Sequence, residues 1–112
     1  MIDTAIGQQI DNKLLINYFD RLVNQFFKLL PIREKEAATF TTYSRSLQME
    51  MIGCREFIIP FNDDATILTL ISILQYFSDT PDVPVADVRR EVFRAIDLLH
   101  KSKKTYTKVV DK

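Results

Sequence analysis

A thiol, an imidazole and a carboxylate are the ingredients of nucleophilic catalysis, and the chain offers one such set: Cys54, His100 and Asp97. Cys54 falls on the apolar stripe of its segment, where a thiol is normally protonated and inert. His100 and Cys54 are the only histidine and the only cysteine. Structural zinc wants four such ligands at paired spacing, so a zinc site is not expected. Asp97 and His100 stand three apart, which gives half of a carboxylate-bridged di-iron pattern. The full pattern needs a second such pair and further inward carboxylates. His100 is expected instead on the surface, near the C-terminus of its helix, where positive charge suits the dipole.

Two acidic pairs, Asp63 with Asp64 and Glu34 with Glu36, could serve general acid–base chemistry. Each sits where a helix is expected to start, and capping or dipole complementation accounts for it. Two glycines, Gly7 and Gly53, cannot build a phosphate-cradling loop or a dinucleotide fingerprint. No catalytic residue, metal ligand or cofactor-binding residue is therefore predicted, and a non-enzyme is expected.

The basic residues are the sharper chemical signal. The formal net charge is zero. Residues 1–82 nevertheless carry eleven acids against seven bases, and residues 83–112 four acids against eight bases. Arg89, Arg90, Arg94, Lys101, Lys103 and Lys104 form the core of that basic end, with Tyr106 and Lys108 beyond. Such groups can neutralise nucleic-acid phosphates or meet an acidic protein surface. The segment SDTPDVP between two helical stretches permits a helix-turn-helix reading. Its seven residues exceed the usual three or four. Asp87, Glu91 and Asp97 dilute the patch.

These residues need elements to position them, and the apolar spacing predicts helices throughout. Leu15, Phe19, Leu22, Phe26 and Leu29 recur every three or four residues, widened by Leu14, Tyr18, Val23, Phe27 and Leu30. A first helix is expected over about 12–30, capped by Asp11 or Asn12 and stopped by Pro31. Phe40, Tyr43, Leu47, Met51, Cys54 and Ile58 repeat the period, with Glu34 and Glu36 near the start and Pro60 as the stop. Gly53 inside this helix could permit close approach of a neighbour. Asn62, Asp63 and Asp64 form a capping cluster ahead of a third segment. That segment is rich in Ile and Thr, which suit strands. Its polar residues Thr66, Thr69, Ser72 and Gln75 fall three apart, so it reads as a mostly buried central helix. The fourth places Val85, Val88, Val92, Ala95, Ile96 and Leu99 on one face.

The fold class is all-α: a small bundle of about four amphipathic helices in one domain over residues 1–112. Residues 1–10 are expected as a loose arm and 103–112 as a basic, frayed tail. The start lacks a secretory signal pattern, a lone cysteine marks no oxidising compartment, and Ile67–Phe77 is too short to span a bilayer. A cytoplasmic location away from membranes is the expectation.

The apolar stripes are broad enough to serve a partner as well as a core. Tyr18, Phe27 and Tyr76 fall beside the main stripes and are candidate interface aromatics. The expected role is a non-catalytic protein–protein interaction module, either self-associating or an accessory subunit of a larger assembly. The alternative is a small nucleic-acid-binding regulator using the fourth helix and the tail.

Overall fold

In a computed structural model, which describes residues 2–3, 9–10, 12–58, 61, 63–80 and 82–110, the apolar periodicity becomes four helices. They are α1 (Asn12–Lys35), α2 (Ala37–Phe57), α3 (Ala65–Asp79) and α4 (Val85–Val110). Ahead of them β1 (Ile2–Asp3) pairs antiparallel with β2 (Gln9–Ile10), Ile2 opposite Ile10. The segment expected as a loose arm therefore contains a short ladder.

Cross-helix contacts give the topology. Arg21 on α1 pairs with Glu50 on α2, and a single residue, Glu36, separates the two helices, so they run antiparallel. Arg45 and Gln48 on α2 meet Ser78 and Gln75 on α3, in descending order, so that pair is antiparallel too. Asp20 and Phe27 on α1 meet Lys103 and Phe93 on α4, and Arg33 meets Val83 just before it. The ring closes as an up-down-up-down bundle. Its closest packings are α1 on α4 and α2 on α3. Long dimensions of 44 × 24 × 19 Å fit helices laid side by side.

The core is the predicted one in large part. Leu15, Phe19, Leu22, Phe26 and Leu29 are buried from α1, and Phe40, Leu47 and Met51 from α2. Val88, Val92, Ala95, Ile96 and Leu99 are buried from α4. Phe40 and Phe77 pack with ring centres 5.2 Å apart, and Phe19 and Phe61 at 5.9 Å. Such tilted pairs contribute beyond the area they bury. Tyr43 and Cys54 are only partly buried, and Val85 is exposed.

Several boundaries depart from expectation. Pro31 lies inside α1, which continues to Lys35. Proline removes one ladder hydrogen bond, yet the last turn has other anchors. Ile32 packs against the core, and the Arg33 Nε donates to the Val83 carbonyl at 2.8 Å. Glu34 consequently ends α1 and does not start α2. Glu36 is the residue before α2, and its carboxylate accepts from the Thr39 hydroxyl at 3.0 Å.

Asp64 caps α3 as expected, its Oδ1 accepting from Thr66 N at 2.8 Å and Ile67 N at 3.2 Å. Asp63 lies in the turn just before this cap. Asn62 and Asp11 lie outside the described residues. Gly53 is exposed, and a Cβ there would meet nothing within 4 Å, so it does not serve a close helix approach. Finally, α4 is continuous to Val110, so 103–110 is helical where fraying was expected. His100 is thereby placed well inside α4 and does not cap its end.

Candidate functional site

The catalytic set that the sequence allows on paper does not assemble. Cys54 belongs to α2, whereas Asp97 and His100 belong to α4, the helix diagonally across the bundle. Asp97 is largely exposed and pairs with Lys101 at 3.9 Å. Among the described residues, no three His, Cys, Asp or Glu side chains gather where they could hold a metal ion. No helix of the described residues is long and apolar enough to cross a membrane.

Cys54 has a different neighbour. Tyr18, on the α1–α2 seam, turns its buried hydroxyl toward the Cys54 thiol without a hydrogen bond of normal geometry. Burial pushes the phenol well above its usual range, the thiol beside it adds to this, and Arg21 works in the opposite direction. The Arg21 guanidinium lies 5.6 Å from the Tyr18 ring centre, a cation–π arrangement. Tyr43 on the same seam is also raised by burial. Tyr18 is thus a seam residue, half enclosed by its own chain.

The basic residues of α4 are largely engaged. Arg90 meets Asp87 at 3.4 Å and Glu91 at 3.5 Å. Arg94 meets Glu91 at 3.2 Å, and Lys103 reaches across to Asp20 on α1 at 2.6 Å. Arg89 and Lys104 are exposed and form no ion pair among the described residues. The charges that dilute the patch in sequence also neutralise it in space. The antiparallel α3–α4 hairpin also differs from the roughly 90–120° crossing of a helix-turn-helix. The side chains of Tyr106 and Lys108 lie outside the described residues.

The apolar surface is more distinctive. Phe27 and Phe93 are 41% and 49% exposed and meet edge to face across the α1–α4 seam, centres 6.0 Å apart at 81°. Phe93 was not anticipated: at 100° per residue it falls among Arg89, Arg90 and Asp97, on the polar face.

The outward face of α3 is the second apolar surface. Its sequence from Ala65 to Ser78 contains no charged residue. Ala65, Leu68, Ser72, Gln75 and Tyr76 nevertheless face solvent, with Leu68 and Tyr76 43% and 40% exposed. The helix expected to be mostly buried and central is a corner helix with an open, uncharged side. Between it and α4 runs a groove of about 370 Å³. Leu68, Thr69, Ser72, Ile73 and Tyr76 of α3 line it together with Glu91 and Arg94 of α4.

The three candidate aromatics are therefore on three different seams: Tyr18 on α1–α2, Phe27 on α1–α4, Tyr76 on α3–α4. Comparison with known protein families, curated proteins and solved structures returned no match.

Proposed function

We propose that the protein is a non-catalytic, cytoplasmic protein–protein interaction module, working as a homo-oligomer or as an accessory subunit of a larger assembly. One observation carries this reading: the exposed side of α3 is uncharged from Ala65 to Tyr76. The solvent side of a surface helix ordinarily carries charged residues. An uncharged side with Leu68 and Tyr76 exposed fits contact with another protein, since interface cores are depleted in charge and enriched in aromatic residues.

The native mass of the untagged protein, isolated gently from its own cells, tests the proposal. A mass well above 13.1 kDa is expected, either as a multiple of it or as a complex with another chain. A lone 13.1 kDa species at cellular concentration would refute it.

The nucleic-acid reading keeps one supporting observation: Arg89 and Lys104 are exposed on α4 and form no ion pair among the described residues. Exposed pairs such as Arg94–Glu91 contribute little and can exchange for phosphate contacts. Binding to DNA or RNA at low salt, lost in Arg89/Arg90/Arg94→Ala, would favour it. No binding at low salt removes it.

A further inference from the structure

We infer that two copies of this chain exchange α1: Glu36 turns helical, residues 12–57 become one straight helix, and each α1 packs in the other copy's bundle. This rests on the homo-oligomer branch of the interaction-module reading, names the partner, and leaves the exposed side of α3 unused. The corner between α1 and α2 is a single residue, Glu36, at φ −157° and ψ 120°. Helical bonding reaches it from both sides. Its N–H donates to the Ile32 carbonyl at 3.0 Å, and its carbonyl accepts from the Phe40 N–H at 3.1 Å. The backbone rotation of one residue therefore separates the bent corner from a continuous helix.

The local sequence favours the straight form. Residues 33–38 read REKEAA, all strong helix formers, with no Gly, Pro or Asn to mark a stop. The Glu36 side chain makes no cap hydrogen bond to α2. Straightening would give the N–H groups of residues 37–39 the carbonyls of residues 33–35.

The two buried stripes are also in phase across the corner. In a continuous helix of about 3.6 residues per turn, Phe40 stands about five whole turns beyond Leu22, and Leu47 about five beyond Leu29. Phe40, Leu47 and Met51 thus prolong the buried line of Leu15, Phe19, Leu22, Phe26 and Leu29 along one side. A bent hairpin does not itself require that match. Exchange does, because one straight helix must face both bundles. The register fits as well: Arg21 and Glu50, which pair across α1 and α2, lie almost equally far from Glu36 in sequence. Two straight helices crossing antiparallel at that residue bring Arg21 of each copy to Glu50 of the other. Contacts of the closed bundle are remade between copies, which makes exchange a low-cost route to a dimer, and short connectors invite it. The exchange is slow, because the buried stripe of α1 leaves only when the core opens.

The test uses the purified, untagged full chain, unfolded in urea and refolded at high concentration. Gel filtration with light scattering should show a species of twice 13.1 kDa that persists on dilution, whereas a dimer held by surface contact alone would dissociate. In a Cys54→Ser background, spin labels at Asn17→Cys and Gly53→Cys, both exposed, report the corner itself. Excess unlabelled chain keeps the measured distance within one copy. The monomer holds the two positions on packed helices about 8–10 Å axis to axis, and the exchanged dimer holds them about 54 Å apart along one helix. Inserting Gly-Asn-Gly after Glu36 should keep the helical circular dichroism and lower the dimer fraction at least tenfold. Refolding to monomer alone would overturn the inference, as would a dimer showing only the short distance or one indifferent to the insertion. A purified chain that refolds only to monomer, with a high native mass in cells, would leave the interaction module standing with a different partner. A 13.1 kDa species in both settings would remove both readings.

Discussion

Arg33→Ala should unfold the protein at lower denaturant by a margin set by one hydrogen bond. The Arg33 Nε donates to the Val83 carbonyl at 2.8 Å, and Val83 is fully buried in the turn that leads into α4. A hydrogen bond from a charged donor contributes about 1.5–3 kcal/mol, and a stranded buried carbonyl costs about 1–3 kcal/mol. Arg33 is partly solvated, so the lower half of those ranges applies, about 1.5–2 kcal/mol. For a domain of this size that is a drop of roughly 6–10 °C in melting temperature. Urea titration followed by circular dichroism measures it, with an unchanged slope confirming that only stability moved. Arg33→Lys replaces Nε by a methylene and should recover at most half. Pro31→Ala adds a second leg, because it restores the N–H that the last turn of α1 lacks. If Arg33 also holds that turn in place, Pro31→Ala should reduce the Arg33→Ala loss by about 0.5 kcal/mol in a double-mutant cycle. A loss below about 0.5 kcal/mol for Arg33→Ala would refute the view that this bond ties the end of α1 to the α3–α4 turn, since that is the scatter of ordinary surface substitutions.

Asp64→Ala removes the acceptor of two backbone N–H groups and should cost about 1 kcal/mol, with Asp64→Asn keeping most of it and with faster amide exchange at Thr66 and Ile67. Tyr18 has a folded-state pKa above its unfolded value, so its contribution is fully present below about pH 10 and is lost as pH rises beyond it; urea midpoints should fall above pH 10 in the wild type and fall less in Tyr18→Phe. Phe27→Ala and Phe93→Ala, combined in a cycle, should show a coupling of about 0.5 kcal/mol, the low end for an aromatic pair because both rings are partly in water; a coupling indistinguishable from zero would mean that the edge-to-face contact does not persist in solution.

The helix stripes were readable because burial follows a 3.6-residue period whatever the neighbours are. That period placed Phe19, Leu47 and Val92 inside without any knowledge of topology. It could not place the end of α1, because the turn around Pro31 is anchored by Ile32 on the core and by the bond from Arg33 to Val83, fifty residues away. It also misjudged α3. A long uncharged segment reads as buried all round, yet α3 sits at a corner of the bundle, and Leu68, Ser72 and Tyr76 on its outer side are exposed. The basic patch shows the reverse error: counted along the sequence it looks available, whereas Glu91 and Asp20 answer Arg94 and Lys103 in space. Phe93 was missed because a lone aromatic among charged residues carries no periodic signal.

The uneven distribution of charge along the chain suggests that an acidic body and a basic tail could join two copies head to tail. The bundle engages one of those bases internally. Because α1 and α4 run antiparallel and pack closely, the C-terminal part of α4 lies against α1, and Lys103 finds Asp20 of its own chain. A second copy offering the same acids would have to displace a partner already held at effectively high local concentration. Among the described residues, the exposed Leu68 and Tyr76 of α3 have no such competitor. Association there would rest on apolar burial and shape, which salt screens little. Self-association that persists at high salt is therefore the signature of the α3 face, and association that dissolves in salt is the signature of the tail.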